Sequence, residues 1–135
     1  HIDYAKRFRT NEFVIHDRVD AISHATCGMA IDIGAKVIVV TSMSGMTVRM
    51  VSRFRAPMDI VGMATNKRVW YKLSLSWGVL PVLSEQFNST DVLFYHALRA
   101  ARDTMHLQPG DNVVMTGGIT NGKSGNTNLI KIEAV

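Results

Sequence analysis

The sequence is poor in cysteine and proline and contains no long run of apolar residues. Cys27 is the single cysteine among 135 residues, so the chain cannot form an internal disulfide, which is typical of proteins from reducing compartments. The apolar runs at residues 37–40 and 79–82 are far too short to span a bilayer, and the first residues show no signal-peptide pattern. We therefore expect a cytoplasmic domain with no membrane partner.

Charge and apolar content narrow the class of protein. Apolar residues make up 47% of the chain and charged residues 19%, which suits one globular domain and excludes collagen-like, coiled-coil and disordered classes. The net charge of +4 invites a nucleic-acid interpretation. However, the aromatic residues near the basic groups at residues 6–9, 49–55 and 67–72 are not interleaved with them in the way that a stacking platform requires. The charge favours attraction of small anions, and we expect no nucleic-acid partner.

The chain begins with a polar, basic segment that leads into a long amphipathic helix. Residues 1–13 show no clear period and are interpreted as a lead-in to a domain at residues 14–135. Apolar or small residues then recur at steps of three and four, which predicts one buried helix face. This face consists of Ile15, Val19, Ile22, Thr26, Met29 and Ile33. Gly34 follows as the predicted C-cap.

Strands and helices alternate along the rest of the chain. Short apolar runs predict strands at residues 37–40, 58–63, 79–83 and 112–116, with helices between them. A period of two at residues 129–134 predicts a last strand, which returns antiparallel because a glycine-rich loop rather than a helix precedes it. Pro81 favours an edge position for the third strand. The pattern predicts an α/β fold, a three-layer α/β/α sandwich with a five-stranded, mostly parallel sheet whose last strand is antiparallel.

One segment, GGITNGKS at residues 117–124, matches the nucleotide-triphosphate motif G-x-x-x-x-G-K-[S/T]. That motif works at the N-terminus of a helix, together with a downstream acidic residue that helps to hold magnesium. Here an alternating strand pattern follows, and the sequence ends at Val135. We interpret the match as coincidental and expect no nucleotide hydrolysis.

Two loops rich in glycine and hydroxyl groups, at residues 41–47 and 117–126, leave the carboxyl ends of predicted strands. Ligands of parallel sheets bind at that edge, and hydroxyls with backbone N–H groups at a helix start suit a phosphate. The residues that offer such groups are Ser42, Ser44, Gly45, Thr47, Lys123 and Ser124. The alternative is two ordinary surface loops with helix capping, and composition alone does not separate the two interpretations.

His24 and Cys27 lie three positions apart on the predicted long helix and could touch. A metal site would need further ligands, and none is evident nearby. A Cys–His nucleophile pair is conceivable on spacing alone, but a half-buried histidine beside a core thiol is the favoured interpretation. No acidic pair stands out for acid–base chemistry, so the sequence predicts no complete active site.

An ordered set of short segments resembles the C-terminal domain of the pyruvate kinase family, particularly its bacterial form. Each segment alone is weak, but together they follow in the family's order and spacing over residues 14–135. The segments are DAISHA at 20–25, SGMTVRMVSRFR at 44–55, WGVLPV at 77–82, STD at 89–91, PGD at 109–111 and SGNTNLIK at 124–131.

This resemblance implies a regulatory and subunit-interface domain rather than a catalytic one. In the family, phosphoryl transfer from phosphoenolpyruvate to ADP occurs in other domains, which bind magnesium and potassium, so this chain alone is expected to be inactive and without a cofactor. The C-terminal domain binds a phosphorylated effector, such as AMP or a sugar phosphate, between two loops. The residues implied for that site are Ser42, Met43, Ser44, Gly45, Met46, Thr47, Gly118, Lys123, Ser124 and Gly125.

The resemblance has further consequences, and the sequence departs from the family's pattern in two places. Met43 and Met46 occupy loop positions where many members carry polar, charged or aromatic residues. Residues 1–13 are expected to be the end of a preceding barrel domain, and the last strand and first long helix are the expected homo-oligomer surfaces. Animal members grip a second phosphate with a tryptophan and an arginine that residues 85–93 lack, which favours a ligand with one phosphate. One alternative is a domain that has lost effector binding and serves only as an interface. The other is a stand-alone phosphate-ligand-binding or scaffold protein that shares the fold.

Overall fold

A computed structural model describes residues 2–41, 45–118 and 127–135 of the chain. Within these ranges there are five helices and five strands, and all of them except the first helix follow in the predicted order. The helices are α1 (Tyr4–Thr10), α2 (Arg18–Asp32), α3 (Met46–Arg53), α4 (Lys67–Ser74) and α5 (Thr90–Met105). The strands are β1 (Val37–Thr41), β2 (Asp59–Ala64), β3 (Val79–Leu83), β4 (Asn112–Gly117) and β5 (Leu129–Ala134).

The five strands form one sheet in the order β3-β2-β1-β4-β5. The pairs β1–β2, β2–β3 and β1–β4 are parallel, and β4–β5 is antiparallel. The three-layer α/β/α sandwich with an antiparallel last strand is therefore confirmed. Pro81 lies in β3, which is an edge strand as predicted, and the Trp70 indole Nε1 donates to the Pro81 carbonyl at 3.1 Å.

Alternate side chains of the buried strands enter two separate cores, because successive residues of a strand point to opposite faces. Ile38 and Val40 of β1 lie in the core beneath α2, α3 and α4, whereas Val37 and Val39 lie in the core beneath α5. All four side chains are fully buried. The β-branched run at residues 37–40 is therefore a strand covered on both faces, as predicted.

The buried face of α2 differs from the predicted one. Val19 and Thr26 are buried as expected, but Ile15 and Ile33 are exposed and lie outside the helix. Apart from Asp20 near the start of the helix, the remaining buried positions carry small side chains, and they are Ser23, Cys27 and Ala30. Small residues allow a helix to lie close to its neighbours, so α2 packs against α3 and the sheet through this face. The C-cap is Ile33 rather than the predicted Gly34, which follows it in the left-handed region with a φ of +63°.

The first residues contribute a helix that packs on the core. Phe8 of α1 is buried, and its ring stacks on His24 at 4.8 Å and meets Phe13 and Phe54 at 5.4 and 6.3 Å between centroids. The segment has a helical structure that its lack of apolar period did not suggest. The assignment of residues 1–13 to the end of a preceding barrel domain stays a prediction.

Candidate functional site at the carboxyl edge of the sheet

After β1, the chain adds β2 and β3 on one side of that strand, and it then returns to add β4 and β5 on the other side. The direction in which strands are added therefore reverses between β1 and β4. Such a switch point at the carboxyl ends of parallel strands is where α/β sheets bind ligands. Val40 of β1 is in register with Thr116 of β4, so the two predicted loops leave adjacent strand ends. The candidate site is therefore built on two neighbouring, buried strands.

The strand ends approach each other closely at Gly117. Thr41 Oγ1 donates to the Thr116 carbonyl at 3.4 Å. A Cβ atom on Gly117 would overlap Thr41 Oγ1 and lie 3.2 Å from Thr41 Cβ. A side chain at position 117 is therefore incompatible with the observed spacing, which explains glycine at the point where the second loop begins.

Helix α3 begins at the same edge with an unusual cap. Gly45 is the N-cap residue, and its φ of +79° lies in the left-handed region that favours glycine. A Cβ atom there would also lie 3.1 Å from Leu73 Cδ2 and 3.2 Å from Val69 Cγ1 of α4. The first turn of α3 therefore directs its backbone N–H groups toward the loop edge, an arrangement that attracts anions.

A hydrogen bond joins the first turn of α3 to the segment before β5. Thr47 Oγ1 and Thr127 Oγ1 lie 2.8 Å apart, and Thr47 is only 1% exposed. The Asn128 N–H donates to the Gly117 carbonyl at 3.2 Å, and Thr116 Oγ1 donates to the Leu129 carbonyl at 2.9 Å. Both ends of the second loop are therefore fixed next to the end of the first.

Four of the ten predicted site residues lie in the described part of the chain. Gly45, Met46 and Thr47 form the start of α3, and Gly118 follows β4 directly. The six others lie outside the described residues, and they are Ser42, Met43, Ser44, Lys123, Ser124 and Gly125. Residues 119–124 of the triphosphate-like motif also lie there, so its interpretation as coincidental stays a prediction.

Thr127 is not among the predicted site residues, yet it belongs to this site. Its hydroxyl reaches a partner that is 80 positions away in the chain, and such a contact leaves no periodic signal. The available signal was the small polar run before the last strand. Threonine at the end of a glycine-rich loop offers a hydroxyl whose partner only the fold can provide.

His24 and Cys27 are core residues rather than a reactive pair. His24 packs against Phe8, Phe13 and Phe54 with centroid distances of 4.8, 5.5 and 5.4 Å. Cys27 Sγ donates to the Val51 carbonyl at 3.7 Å, and burial raises the pKa of the thiol to about 12. The thiol therefore stays protonated at neutral pH. No group of three metal-ligating side chains occurs among residues 2–41, 45–118 and 127–135.

The sequence of the chain matches one known protein family. The sequence model of the family described as "Pyruvate kinase, alpha/beta domain" matches residues 20–133, which is most of the chain. The chain belongs to this family. The predicted resemblance is therefore confirmed.

Several bacterial proteins named pyruvate kinase are similar to the chain. The protein from Clostridium acetobutylicum is 36% identical over 116 residues, which cover 86% of this chain and 24% of that protein. The protein from Lactobacillus delbrueckii subsp. bulgaricus is 32% identical over 127 residues, which cover 94% of this chain and 22% of that protein. The protein from Staphylococcus saprophyticus is 33% identical over 117 residues, which cover 87% of this chain and 20% of that protein. The chain thus spans about a fifth to a quarter of these relatives. No helix in the described ranges is long and apolar enough to cross a membrane.

Proposed function

We propose that this chain is the regulatory and subunit-interface domain of a cytoplasmic pyruvate kinase and binds a phosphorylated small molecule between the loops at 42–47 and 117–125. The observation that carries the proposal is the Thr47–Thr127 hydrogen bond of 2.8 Å, which links the two loop ends at the switch point of the sheet. Phosphoryl transfer, with its magnesium and potassium, is assigned to the parts of the relatives that this chain does not match. The chain alone is proposed to have no catalytic site.

The proposed ligand carries one phosphate group, as AMP or a sugar monophosphate does. The first turn of α3 supplies backbone N–H groups, and Thr47 supplies a hydroxyl. We assign Ser42, Ser44 and Ser124 as further hydroxyl donors and Lys123 as the cation that offsets the phosphate charge. Residues 85–93 contain neither arginine nor tryptophan, so this segment offers no cationic or indole contact to a second phosphate.

Replacing Thr47 with alanine is expected to weaken ligand binding about five- to tenfold, which corresponds to one lost hydrogen bond. The substitution removes a hydroxyl at the start of α3 and leaves Thr127 without its partner there. Isothermal titration calorimetry with AMP, ribose 5-phosphate and fructose 1,6-bisphosphate measures the effect. We expect saturable heat with at least one monophosphate in the unsubstituted chain.

Thr104→Ala serves as the matched control, since Thr104 lies near the far end of α5. This control is expected to bind as the unsubstituted chain does. No heat with any of the three ligands would refute effector binding and leave only the interface role. Equal weakening in both variants would show that Thr47 is not at the site.

The interface part of the proposal rests on the edge of β5. The Val135 N–H donates to the Asp111 carbonyl at 2.8 Å, which sets the alternation of the β4–β5 ladder. By that alternation, the backbone groups of Ile130, Ile132 and Ala134 point away from β4. An edge strand with outward N–H and C=O groups is a template for pairing with a second copy of the chain.

Ile132→Pro is expected to convert the chain from a dimer to a monomer, because proline removes an outward N–H in the middle of the β5 edge. Sedimentation equilibrium measures the mass. Leu83→Pro is the control, since it places proline at an outward position of the opposite edge strand, β3. A monomeric unsubstituted chain, or loss of the dimer in the control alone, would contradict the assignment.

A further inference from the structure

Positive charge is concentrated on two neighbouring helices of one face. Between residues 33 and 84 the only acidic residue is Asp59, and neither α3 nor α4 contains an acidic side chain. The exposed basic residues of these two helices are Arg49, Arg53, Lys67, Arg68 and Lys72. The phosphate-binding loops of the proposed site do not include these residues.

The direction of the basic side chains on α3 follows from the contacts of that helix. Val48 and Val51 face the sheet, and Thr47 points toward the β5 side, where it meets Thr127. At 100° per residue, Arg49 lies on the opposite flank, above the buried Ser52, and Arg53 lies next to it on the side away from the sheet. That flank faces α4, because α3 packs over β1 and β2 while α4 packs over β2 and β3.

The side chains on α4 are oriented by the same reasoning. Val69 and Leu73 face the core, and Trp70 points toward the outer edge of the sheet, where it donates to the Pro81 carbonyl. Arg68 and Lys72 therefore lie on the flank that faces α3. Two rows of cations, one turn apart within each row, border the groove between the helices. We call this feature, defined by Arg49, Arg53, Arg68 and Lys72, the α3/α4 groove.

The groove is electrostatically unbalanced in the part of the chain that the structure describes. Like charges one turn apart on a helix repel each other, and the groove has one such pair on each wall. The ion pairs between described residues are Arg9–Asp32, Arg102–Asp103 and Lys131–Glu133. None of them neutralises a groove cation, so an anionic occupant would be favoured by all four charges.

Two apolar side chains border the same flank of α4. Tyr71 is 65% exposed and Leu75 is 88% exposed, and they lie three positions after Arg68 and Lys72 respectively. A leucine with this exposure gains free energy from any apolar side chain that covers it. The occupant that matches the groove is therefore both acidic and apolar.

We propose that the α3/α4 groove binds an extended, acidic segment of a partner polypeptide that carries an apolar side chain next to its carboxylates. Guanidinium groups bind carboxylates through paired hydrogen bonds, and each wall offers such a group in Arg53 and Arg68. Eight-residue helices are about 12 Å long, which accommodates about four residues of extended chain. The apolar residue of the segment covers Leu75 and Tyr71.

Other occupants fit less well. The 11 acidic residues of this chain are scattered, with no two adjacent in sequence, so a second copy offers no matching segment. A nucleic-acid backbone supplies negative charge but no apolar side chain for Leu75. The proposal is independent of the phosphorylated ligand, because none of the groove residues belongs to the two loops.

The test uses a fluorescein-labelled, blocked decapeptide in which leucine is flanked on both sides by glutamates. Fluorescence anisotropy at low ionic strength measures its affinity for the chain. Arg53→Glu/Lys72→Glu reverses one charge on each wall and is expected to weaken binding at least about tenfold. Lys36→Glu/Arg102→Glu gives the same change in net charge at exposed positions away from the groove. This control is expected to weaken binding less than about threefold, by general screening alone.

Circular dichroism confirms folding of both variants, and calorimetry with the monophosphate ligand is expected to be unchanged in each. Equal weakening in the groove variant and the control would overturn the proposal, since only net charge would then matter. No binding of the peptide would overturn it as well. Tighter binding of a single-stranded oligonucleotide or of anionic vesicles than of the peptide would assign the groove to a different class of partner.

Discussion

Replacing Phe8 with alanine is expected to lower the free energy of unfolding by about 3–5 kcal/mol, the range for a buried phenylalanine. Phe8 is 7% exposed and belongs to the core beneath α2, α3 and α4. Its ring contacts His24, Phe13 and Phe54, which come from three different segments of the chain. Urea unfolding followed by tryptophan fluorescence measures the change.

Tyr95→Ala provides the comparison, because Tyr95 is an exposed aromatic residue on α5. The Tyr95→Ala substitution is expected to lower the free energy of unfolding by less than about 1 kcal/mol, as substitutions at exposed positions generally do. A loss below about 1 kcal/mol for Phe8→Ala would show that α1 is dispensable for the core. The fold would then begin at α2, and the aromatic cluster would be a surface feature.

Replacing Gly117 with alanine is expected to destabilise the chain by about 2–3 kcal/mol, near the upper end for overpacking. The new Cβ would overlap Thr41 Oγ1, and relief by rotation of Thr41 would break its hydrogen bond to the Thr116 carbonyl. Because this contact lies where β1 and β4 end, the same substitution is expected to separate the two loops and weaken ligand binding. Thermal unfolding and calorimetry measure the two effects.

The Thr41→Ala/Gly117→Ala double variant tests the cause. Removing Thr41 Oγ1 eliminates the overlapping atom, so the double variant is expected to be more stable than the sum of the single changes by about 1–2 kcal/mol. Strict additivity would show that the cost at position 117 arises from backbone conformation rather than from the close approach of the strands.

The sheet could be predicted from the sequence because its signals are local. Val37–Thr41 is a short β-branched run, and such residues fit a strand that is buried on both faces. The alternation in Leu129–Ala134 predicted a last strand that returns antiparallel, and this strand lies at one edge of the sheet. Pro81 predicted the other edge, since proline cannot donate to a ladder.

The buried face of α2 could not be predicted as well. The period of apolar residues selected Ile22 and Met29, yet the closest packing uses Ser23, Cys27 and Ala30. Apolar periodicity ranks large side chains first, whereas close approach to α3 and the sheet requires small ones. Helix α1 was missed for a related reason, since its burial depends on the single side chain of Phe8.

The candidate site was predictable in position but not in its contacts. Gly45 and Thr47 could be placed at a helix start from the hydroxyl- and glycine-rich run that follows the first strand. The Thr127 partner and the contact of Gly117 with Thr41 depend on strand order. Strand order is set by tertiary packing, which a single sequence does not encode in any local pattern.

Solution NMR of the ¹⁵N-labelled chain during titration with AMP or ribose 5-phosphate tests the central claim most directly. The account predicts that amide shifts concentrate at Gly45, Met46, Thr47, Gly118 and Thr127, and that amides at the opposite edge of the sheet, such as Lys36, remain unchanged. Absence of shifts with either ligand, or shifts centred away from the start of α3, would contradict the claim that the two loops hold a phosphorylated effector.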